Sequence, residues 1–377
     1  MKNARHERRQ RIVLVLPGGG ALGAYQAGVY EAMSSSGLEP DWLIGTSIGA
    51  INSALIAGNP KVRRLERLRE FWHRVGQEPL LGTWSIVAAG VPAFFTPHLG
   101  RWSSPHARLG LEQAAYYSTE PLRRTLEDLV DLDLPGQGGP RLTVGAVGVA
   151  SGQMKYFDSR DTRLGVQHVM ASGALPPAFP AVRIDGEAYW DGGIYSNTPI
   201  EPIFDDLPRR DSLIFAANVW QPRATEPQSI WEVMARHKDI QFSSRAGPFI
   251  VRLQKIQRLR RALRKLMAHW PQGEPKDSIP EWRELEAEAC DGTMHVVRLL
   301  APAGAGEDAL KDVDFSRVAI RRRWTAGYED TMRVIERAPW KDSADPMEGL
   351  IVHDARLATS RRPGAREHLG EHSGSDT

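Results

Sequence analysis

A strand, a glycine-rich turn and a helix follow one another twice within the first sixty residues, and this repeat constrains the fold strongly. The first copy runs through an apolar segment at 11–16, a loop at 17–23 and a helical pattern at 24–33. The second copy comprises an apolar segment at 41–46 and a small-residue helix at 48–57. Strand–loop–helix units in series favour a mostly parallel sheet with helices on both faces, so we expect an α/β protein.

The loop of the first unit is rich in glycine, with Gly18, Gly19, Gly20 and Gly23. Such a loop before a helix presents backbone N–H groups to an anion. Its G-x-G-x-x-G spacing also fits a dinucleotide-binding turn, which requires an acidic residue about 20 positions further on, at the end of a second strand. Glu39 stands near that distance but precedes the second strand. An oxyanion loop, a nucleotide-binding turn and a purely structural turn are therefore all open at this point.

The turn of the second unit has the pattern G-x-S-x-G, formed by Gly45, Ser47 and Gly49. It follows a predicted strand and opens a predicted helix, which is the context of a nucleophile elbow. The N-terminus of a helix favours negative charge, so the N–H of Ile48 is a candidate oxyanion donor. An ordinary helix N-cap serine is the structural alternative.

A base that could activate Ser47 is harder to identify. None of the eleven histidines stands in a loop prepared for that role; His168 falls in a predicted helix and His295 in a predicted strand. The alternative is Asp191, which is followed by Gly192-Gly193 at a sharp turn after an apolar strand. A carboxylate there can reach a neighbouring loop, although Asp-Gly-Gly alone is typical of a simple turn.

Four ordered motifs together resemble those of the patatin-like phospholipase family. They are the glycine loop, the G-x-S-x-G turn, the segment ASGALPPAFP at 171–180 and the Asp-Gly-Gly turn at 191–193. The resemblance covers about residues 11–219 and implies a three-layer α/β/α fold with a mostly parallel central sheet. It also implies a Ser–Asp dyad without histidine, in which Ser47 is the nucleophile and Asp191 the general base or proton acceptor, with the backbone of Gly18, Gly19 and Gly20 as oxyanion site.

The resemblance implies a serine acyl hydrolase that cleaves lipid ester bonds through an acyl-serine intermediate, in lipid catabolism, with no cofactor and no metal. A carboxylesterase or hydroxyacid-polymer esterase on the same dyad is one alternative. A non-catalytic lipid- or partner-binding module is another, from a different functional class. Many members of the family carry Arg or Lys where this chain has Leu22. The backbone donors of the loop do not depend on that side chain, so the catalytic prediction is unaffected. A basic residue there could help to hold a phosphate, so the resemblance does not imply a preference for phospholipids.

The composition, with 41% hydrophobic residues in a chain of 377, fits one large globular domain plus an appendage. We expect a basic N-terminal tail at 1–10 and a catalytic domain at 11–220. A helical and aromatic insert at 61–120 is a candidate for an acyl pocket, a lid or a satellite core. A largely helical C-terminal extension at 221–340 and a disordered tail at 341–377 complete the prediction.

A strongly basic segment lies in the predicted extension. Residues 241–271 carry eight Lys or Arg and no acid. Basic amphipathic helices bind anionic membranes, so residues 250–270 are a candidate peripheral membrane contact; a helix packed on the core with a solvated basic face is the alternative. Its apolar residues recur every three or four positions, at Ile256, Leu259, Leu263, Leu266 and Trp270.

Two further features bear on compartment and partners. The formal net charge is +2, which gives no charge excess for binding nucleic acid. The polar, basic N-terminus lacks the apolar stretch of a secretory signal, and the single Cys290 rules out an internal disulfide. We therefore expect a cytoplasmic protein, with the membrane periphery as a second location, that binds a lipid or ester substrate and no nucleic acid.

Overall fold

The computed structural model of the chain describes residues 9–78, 82–98, 100, 106–270, 279–304 and 309–355. In chain order its strands are β1 (Arg11–Leu16), β2 (Trp42–Thr46), β3 (Thr96–Pro97), β4 (Tyr117–Ser118), β5 (Arg141–Gly148), β6 (Met154–Asp158), β7 (Val182–Ile184), β8 (Glu187–Asp191), β9 (Ser212–Asn218), β10 (Met294–Leu300) and β11 (Leu350–Asp354). Its α-helices are α1 (Ala24–Ser35), α2 (Ile48–Ala57), α3 (Arg64–Val75), α4 (Thr83–Ala89), α5 (Glu120–Leu129), α6 (Val166–Ser172), α7 (Glu201–Asp205), α8 (Ile230–Ser243), α9 (Ala246–Ala268), α10 (Trp282–Glu288) and α11 (Arg317–Arg337).

Nine of the described strands form one sheet, in the order β11–β10–β9–β1–β2–β5–β8–β7, with β6 also paired to β5. Every pairing from β11 across to β5 is parallel. Strand β5 is antiparallel to β6 and β8, and β7 is antiparallel to β8. The prediction of a mostly parallel central sheet is therefore confirmed.

Strand β1 shows how the sheet separates two helical layers. Side chains alternate along a strand, so Leu14 and Leu16 point to one face and Val13 and Val15 to the other. The first pair packs in a core cluster with apolar residues of α1, α2 and α11. The second pair packs with apolar residues of α7 and α9. Helices cover both faces, which fits the apolar run from Ile12 to Leu16 in β1, and the arrangement is the predicted three-layer α/β/α fold.

The predicted C-terminal extension adds to the same sheet. Its strand β10 pairs with β9, which in turn pairs with β1. Its helix α11 packs on α1 at a crossing where glycines let the backbones meet. A Cβ on Gly28 would lie 1.9 Å from the carbonyl oxygen of Trp324, and one on Gly327 would lie 2.0 Å from that of Tyr25. The sequence boundary near residue 220 thus does not separate two sheets.

The prediction of a disordered tail over 341–377 is wrong for residues 350–354. These residues form β11, which pairs in parallel with β10, and Leu350 is buried. A five-residue strand at the edge of a sheet gains its stability from its neighbour, so its own sequence carries little signal. The predicted tail residues 1–8 and 356–377 lie outside the described residues.

Helix α9 is the predicted basic helix, but it buries a different face from the one its apolar spacing indicates. Leu259 and Leu266 are 70% and 71% exposed. Arg261 is buried because its guanidinium donates to carbonyl groups such as those of Glu348 at 2.7 Å and Asp291 at 2.8 Å. Among the described residues, no helix combines the length and apolar character that a membrane crossing requires. The buried face of α9 comprises Ile250, Leu253, Gln257 and Arg261.

Candidate active site

Ser47 lies at a strained turn between β2 and α2. Its φ of 55° is in the left-handed region that residues with side chains rarely adopt. The turn is tightly enclosed, because a Cβ on Gly49 would lie 1.8 Å from the carbonyl oxygen of Leu16, and one on Gly45 would lie 2.4 Å from that of Gly49. Such strain persists where the surrounding structure holds it. The geometry is that of a nucleophile elbow, with the serine presented at the turn.

Ser172, the last residue of α6, holds this turn from a third element. Its hydroxyl accepts the backbone N–H of Ser47 at 3.0 Å and donates to the carbonyl of Gly145 in β5 at 2.6 Å. The side chain is fully buried. Ser172 belongs to the ASGALPPAFP motif, but the pattern does not mark it as a contact of Ser47. A serine on the buried face of an apolar helix is the one signal that could have indicated its role.

Asp191 is the last residue of β8 and is 2% exposed. Its Oδ1 accepts the N–H of Gly193 at 2.7 Å, and its carboxylate lines the same cavity as Ser47, near enough for the Ser47 hydroxyl to favour the charged form. Burial raises the pKa of Asp191 from 3.8 to about 6, although the contacts with Ser47 and Gly193 partly oppose that rise. Its carboxylate is therefore a stronger proton acceptor than an exposed aspartate, yet is still mainly ionised at neutral pH.

Gly18 is the anchored end of the glycine loop. Its N–H donates to Oδ1 of Asn197 at 3.1 Å. Its carbonyl accepts from Nδ2 of Asn197 at 3.2 Å and from Nε1 of Trp220 at 2.8 Å. The Gly18 N–H is thus engaged and is not among the free donors of the loop. The sequence pattern marks neither Asn197 nor Trp220, whose indole and amide reach the loop from distant parts of the chain.

The free donors lie next to this anchor. Within the part of the chain that the structure describes, the N–H groups of Gly19 and Gly20 have no hydrogen-bond acceptor, and neither does that of Ile48 at the start of α2. The next residue, Ala21, donates to the carbonyl of Asp312 at 2.8 Å. Two adjacent unpaired N–H groups are therefore flanked by paired ones, and they are the donors that an anion could use.

The remaining glycines of the predicted motifs permit close backbone contacts around the site. A Cβ on Gly23 would lie 2.6 Å from Cγ1 of Ile48, so the loop and the elbow helix meet there. A Cβ on Gly192 would lie 2.4 Å from the carbonyl oxygen of Gly145, and one on Gly193 would lie 3.0 Å from Oδ1 of Asp191. Each position is therefore tight enough to disfavour a larger residue.

Ser47, Asp191 and the glycine loop line one cavity of about 290 Å³. Most of its remaining wall is apolar, and part of that wall comes from the predicted aromatic insert. Trp84 of the insert is instead 56% exposed, and Trp102 lies outside the described residues. The insert contributes Val87, Phe94, Phe95 and Tyr117 to the cavity.

The side chains expected of three other site types are absent from the described residues of this cavity or engaged elsewhere. No histidine of the described ranges lines the cavity. Glu39, the candidate ribose contact of a nucleotide site, instead accepts from Arg64 at 2.8 Å, Ser34 at 2.7 Å and Tyr30 at 3.2 Å. The described residues also hold no group of three His, Cys, Asp or Glu side chains placed to bind a metal ion.

Comparison with protein families finds two matches along the chain. The family model described as patatin-like phospholipase matches residues 14–204, and a second, described as patatin phospholipase, matches residues 240–347. A patatin-like phospholipase domain-containing protein of Caenorhabditis elegans is 39% identical over 61 residues, which are 16% of this chain and 6% of that protein. Lysophospholipase nte1 of Aspergillus terreus is 44% identical over 66 residues, 17% of this chain and 4% of that protein. The matched region is thus a small part of both relatives.

Solved structures give weaker similarities. VipD from Legionella pneumophila is 15% identical with a TM-score of 0.38, over 87% of this chain and 67% of that one. A chain of the ExoU–SpcU complex from the type III secretion system of Pseudomonas aeruginosa is 19% identical with a TM-score of 0.29, over 57% of this chain and 45% of that one. Similarities this weak support no conclusion about this chain.

Proposed function

This chain belongs to the patatin-like phospholipase family, and from that premise we propose that it hydrolyses lipid ester bonds with Ser47 and Asp191 as a catalytic dyad. One observation carries the proposal. The buried carboxylate of Asp191, whose pKa is raised to about 6, and the side chain of Ser47 line one mainly apolar cavity together with the glycine loop. A base whose pKa lies near the working pH and a hydroxyl within its reach are what nucleophilic catalysis requires.

In the first half of the reaction the Ser47 oxygen attacks the ester carbonyl carbon and its proton passes to Asp191. The carbonyl oxygen becomes an oxyanion, which accepts hydrogen bonds from the free N–H groups of Gly19, Gly20 and Ile48. Donors of this kind matter, since removing one typically costs about 10²–10³ in kcat. Collapse of the intermediate expels the alcohol, which takes the proton from Asp191 and leaves an acyl-serine.

In the second half Asp191 takes a proton from water, and the resulting hydroxide attacks the acyl-serine carbonyl. The same N–H groups stabilise the second oxyanion. Its collapse breaks the bond to the Ser47 oxygen, which recovers the proton from Asp191, and the free acid leaves. No histidine and no metal takes part in this sequence of steps.

The cavity supports an acyl chain as the bound part of the substrate, because its wall is mainly apolar. No Lys or Arg lines it in the described residues, and Leu22 is buried in the core instead of facing it. This observation favours a second candidate, a carboxylesterase acting on neutral esters with the same dyad. Rates on a phospholipid, a triglyceride and a short soluble ester, measured side by side, distinguish the two.

The dyad is tested with purified Ser47→Ala and Asp191→Asn variants. We expect each to lose ester hydrolysis, and Ser47→Ala to lose labelling by a fluorophosphonate. Ser53→Ala is a matched control on the same helix, since Ser53 is buried and its hydroxyl has no partner among the described residues. Wild-type turnover in Ser47→Ala or Asp191→Asn would contradict the dyad, and an unlabelled wild type would favour a non-catalytic binding module.

We also propose that α9 contacts an anionic membrane from the periphery. The support is its exposed surface, where the apolar side chains of Leu259 and Leu266 lie among basic ones. Apolar and cationic groups on one helix face are typical of interfacial helices. The exposed basic residues of this surface include Arg252, Lys255 and Arg258.

A further inference from the structure

A segment of the C-terminal extension, residues 309–315, lies directly against the glycine loop. The carbonyl of Asp312 accepts the N–H of Ala21 at 2.8 Å. A Cβ on Gly20 would lie 2.1 Å from the same oxygen, and Gly20 has a φ of +53°. The conformation at Gly20 is therefore adapted to this contact. Because Gly19 and Gly20 carry the free N–H groups, the position of Asp312 bears on where those groups point.

Two ion pairs hold the segment on α8. Lys238 donates to the Asp312 carboxylate at 2.8 Å and to the carbonyl of Ala309 at 2.8 Å. Its neighbour Asp239 pairs with Lys311 at 2.8 Å, and both of these side chains are buried. A buried charge left unpaired is costly, so adjacent pairs between the same two elements disfavour any shift of the segment along α8.

Other elements of the C-terminal half reinforce the same segment. Arg323 of α11 donates to the carbonyls of Lys311 at 2.9 Å and Asp314 at 3.0 Å. The ammonium of Lys311 lies 5.4 Å from the ring of Trp220, whose indole N–H binds the carbonyl of Gly18. Gly18 and Ala21, which flank the unpaired Gly19 and Gly20, are thus held by Trp220 and Asp312.

We propose that Lys238 and Asp312 are positioning residues for the oxyanion loop. Their ion pair holds the Asp312 carbonyl against Gly20 and Ala21, and this contact aims the N–H groups of Gly19 and Gly20 at the developing oxyanion. The inference rests on the proposed function and deepens it, since it gives the C-terminal extension a part in the chemistry. The same segment also closes one side of the cavity, with Leu310, Val313 and Phe315.

The test compares Lys238→Met and Asp312→Asn with Asp354→Asn, each in the full chain. Asp312→Asn keeps the backbone carbonyl and the side-chain size. Asp354→Asn is the matched control, because Asp354 pairs with Arg298 at 2.6 Å in the same half of the chain, is also partly exposed, and lies away from the cavity lining. The readouts are kcat and KM on a short soluble ester, with the thermal midpoint of each variant.

We expect kcat to fall about ten- to a hundredfold in Lys238→Met and in Asp312→Asn, because misplacement by about 1 Å can cost that much. KM should stay within about twofold, since the donors act on the transition state. The double variant should lose no more than the worse single variant, because both remove one ion pair. Lys238→Arg should recover most of the loss, and Asp354→Asn should keep its kcat.

A second readout separates positioning from general stability. The Ser47 oxygen adds to the carbonyl carbon of a trifluoromethyl ketone inhibitor, and the Ser47 proton passes to Asp191. The ketone oxygen becomes negatively charged and lies among the loop donors. The inhibition constant of this ketone should rise by about the factor lost in kcat, whereas binding of an amide with the same alkyl chain, which forms no oxyanion, should not change.

Three results would overturn the inference. One is a folded Lys238→Met or Asp312→Asn protein with the kcat of Asp354→Asn. Another is a loss of kcat with no change in ketone inhibition, which would mean that the pair only stabilises the fold. If Lys238→Met does not fold, Asp312→Asn decides the matter. The third is a Ser47→Ala variant that hydrolyses esters at the wild-type rate, which would contradict both the proposed function and this inference. A failure of the loop contact alone would leave Ser47→Ala inactive.

Discussion

The hydroxyl of Ser172 accepts the backbone N–H of Ser47 at 3.0 Å, and so couples the end of α6 to the strained turn between β2 and α2. The same hydroxyl donates to the carbonyl of Gly145 at 2.6 Å. One side chain therefore joins a helix, a strand and the elbow at the point where the candidate nucleophile is presented.

We predict that Ser172→Ala lowers the free energy of unfolding by about 1–3 kcal/mol, because the carbonyl of Gly145 loses a donor and the Ser47 N–H keeps only the Ser172 carbonyl, at 3.2 Å. It should also lower kcat about tenfold, since the elbow loses one of its supports. Urea denaturation and rates on a soluble ester measure the two effects. Ser53→Ala, in which no described hydrogen bond is lost, should leave both near wild type; equal behaviour of the two variants would contradict the role of Ser172.

The pH dependence of hydrolysis should report on Asp191. Its pKa is raised to about 6, chiefly by burial, so the ionised carboxylate that can accept the Ser47 proton forms only as the pH rises through that value. We predict that kcat/KM increases with pH up to about 6–7 and then levels off. A profile that already levels off near pH 4, the value for an exposed aspartate, would contradict a catalytic role for this buried carboxylate.

The same pKa shift makes a prediction about stability. Asp191 titrates near 3.8 in the unfolded chain and near 6 in the folded protein, so the folded state binds the proton more tightly. This proton contributes its full stabilisation below pH 3.8, and the contribution is lost as the pH rises through about 6. Asp191→Asn should therefore be more stable than wild type near pH 8, by about 1–3 kcal/mol, and the difference should shrink near pH 4. Chemical denaturation at both pH values measures it.

Asp206 provides a contrast of opposite sign for that measurement. Burial alone would raise its pKa, but hydrogen bonds from Arg141, Arg11 and Arg160 outweigh burial and hold the pKa below its ordinary value. Its contribution to stability is therefore present at neutral pH and lost as the pH falls. Asp206→Asn should destabilise the protein near pH 8, where Asp191→Asn stabilises it. The same sign in both variants would contradict the assigned shifts.

Alanine substitutions at Gly20 and Gly37 distinguish the effect of backbone strain from that of a steric contact. Both have positive φ, at +53° and +74°, but a Cβ on Gly20 meets the Asp312 carbonyl, whereas nothing lies within 4 Å of one on Gly37. We predict that Gly37→Ala costs about 1 kcal/mol of stability with unchanged turnover. Gly20→Ala should cost more stability and should lower kcat about 10²-fold or more, because the loop must move. Equal losses of kcat in the two variants would contradict a special role for the loop.

Membrane contact through α9 predicts a dependence on lipid charge. The protein should float with vesicles of phosphatidylcholine mixed with phosphatidylglycerol, and less with phosphatidylcholine alone. Arg252→Glu combined with Arg258→Glu should reduce flotation on the anionic vesicles. Arg124→Glu is the control, since Arg124 is an exposed arginine on α5, remote in sequence from α9. Equal flotation on both lipid compositions would remove α9 as an electrostatic anchor.

Much of the fold could be predicted because its signals are local. The strand at 11–16 and the helix at 48–57 were predicted with the bounds that the structure has. Apolar runs and small-residue periodicity involve neighbours in the chain, and so does the glycine spacing that permits close backbone contacts around Ser47. For the same reason a local pattern indicated Ser47, whereas Asp191 was identified only through the resemblance of four motifs to a family; both residues line one cavity.

Local patterns could not predict which face of α9 is buried or that residues 350–354 form a strand. The apolar face predicted for α9 includes Leu259 and Leu266, but the residues that pack against the sheet are Ile250 and Leu253. Arg261 can be buried because carbonyls brought from other segments satisfy its donors. Burial is decided by the partner surface, which the sequence of one helix does not contain.

Local sequence patterns account for the repeated strand–loop–helix units and for the elbow at Ser47. Which N–H groups of the glycine loop are free depends on contacts with residues far away in the chain. Gly18 is engaged by Asn197, 179 positions away, and by Trp220, 202 positions away, while Asp312 takes the N–H of Ala21. The glycine loop contains several N–H groups, and its own sequence does not say which of them find acceptors. Acceptors from distant strands and helices reach the N–H groups of Gly18 and Ala21, and those of Gly19 and Gly20 stay unpaired.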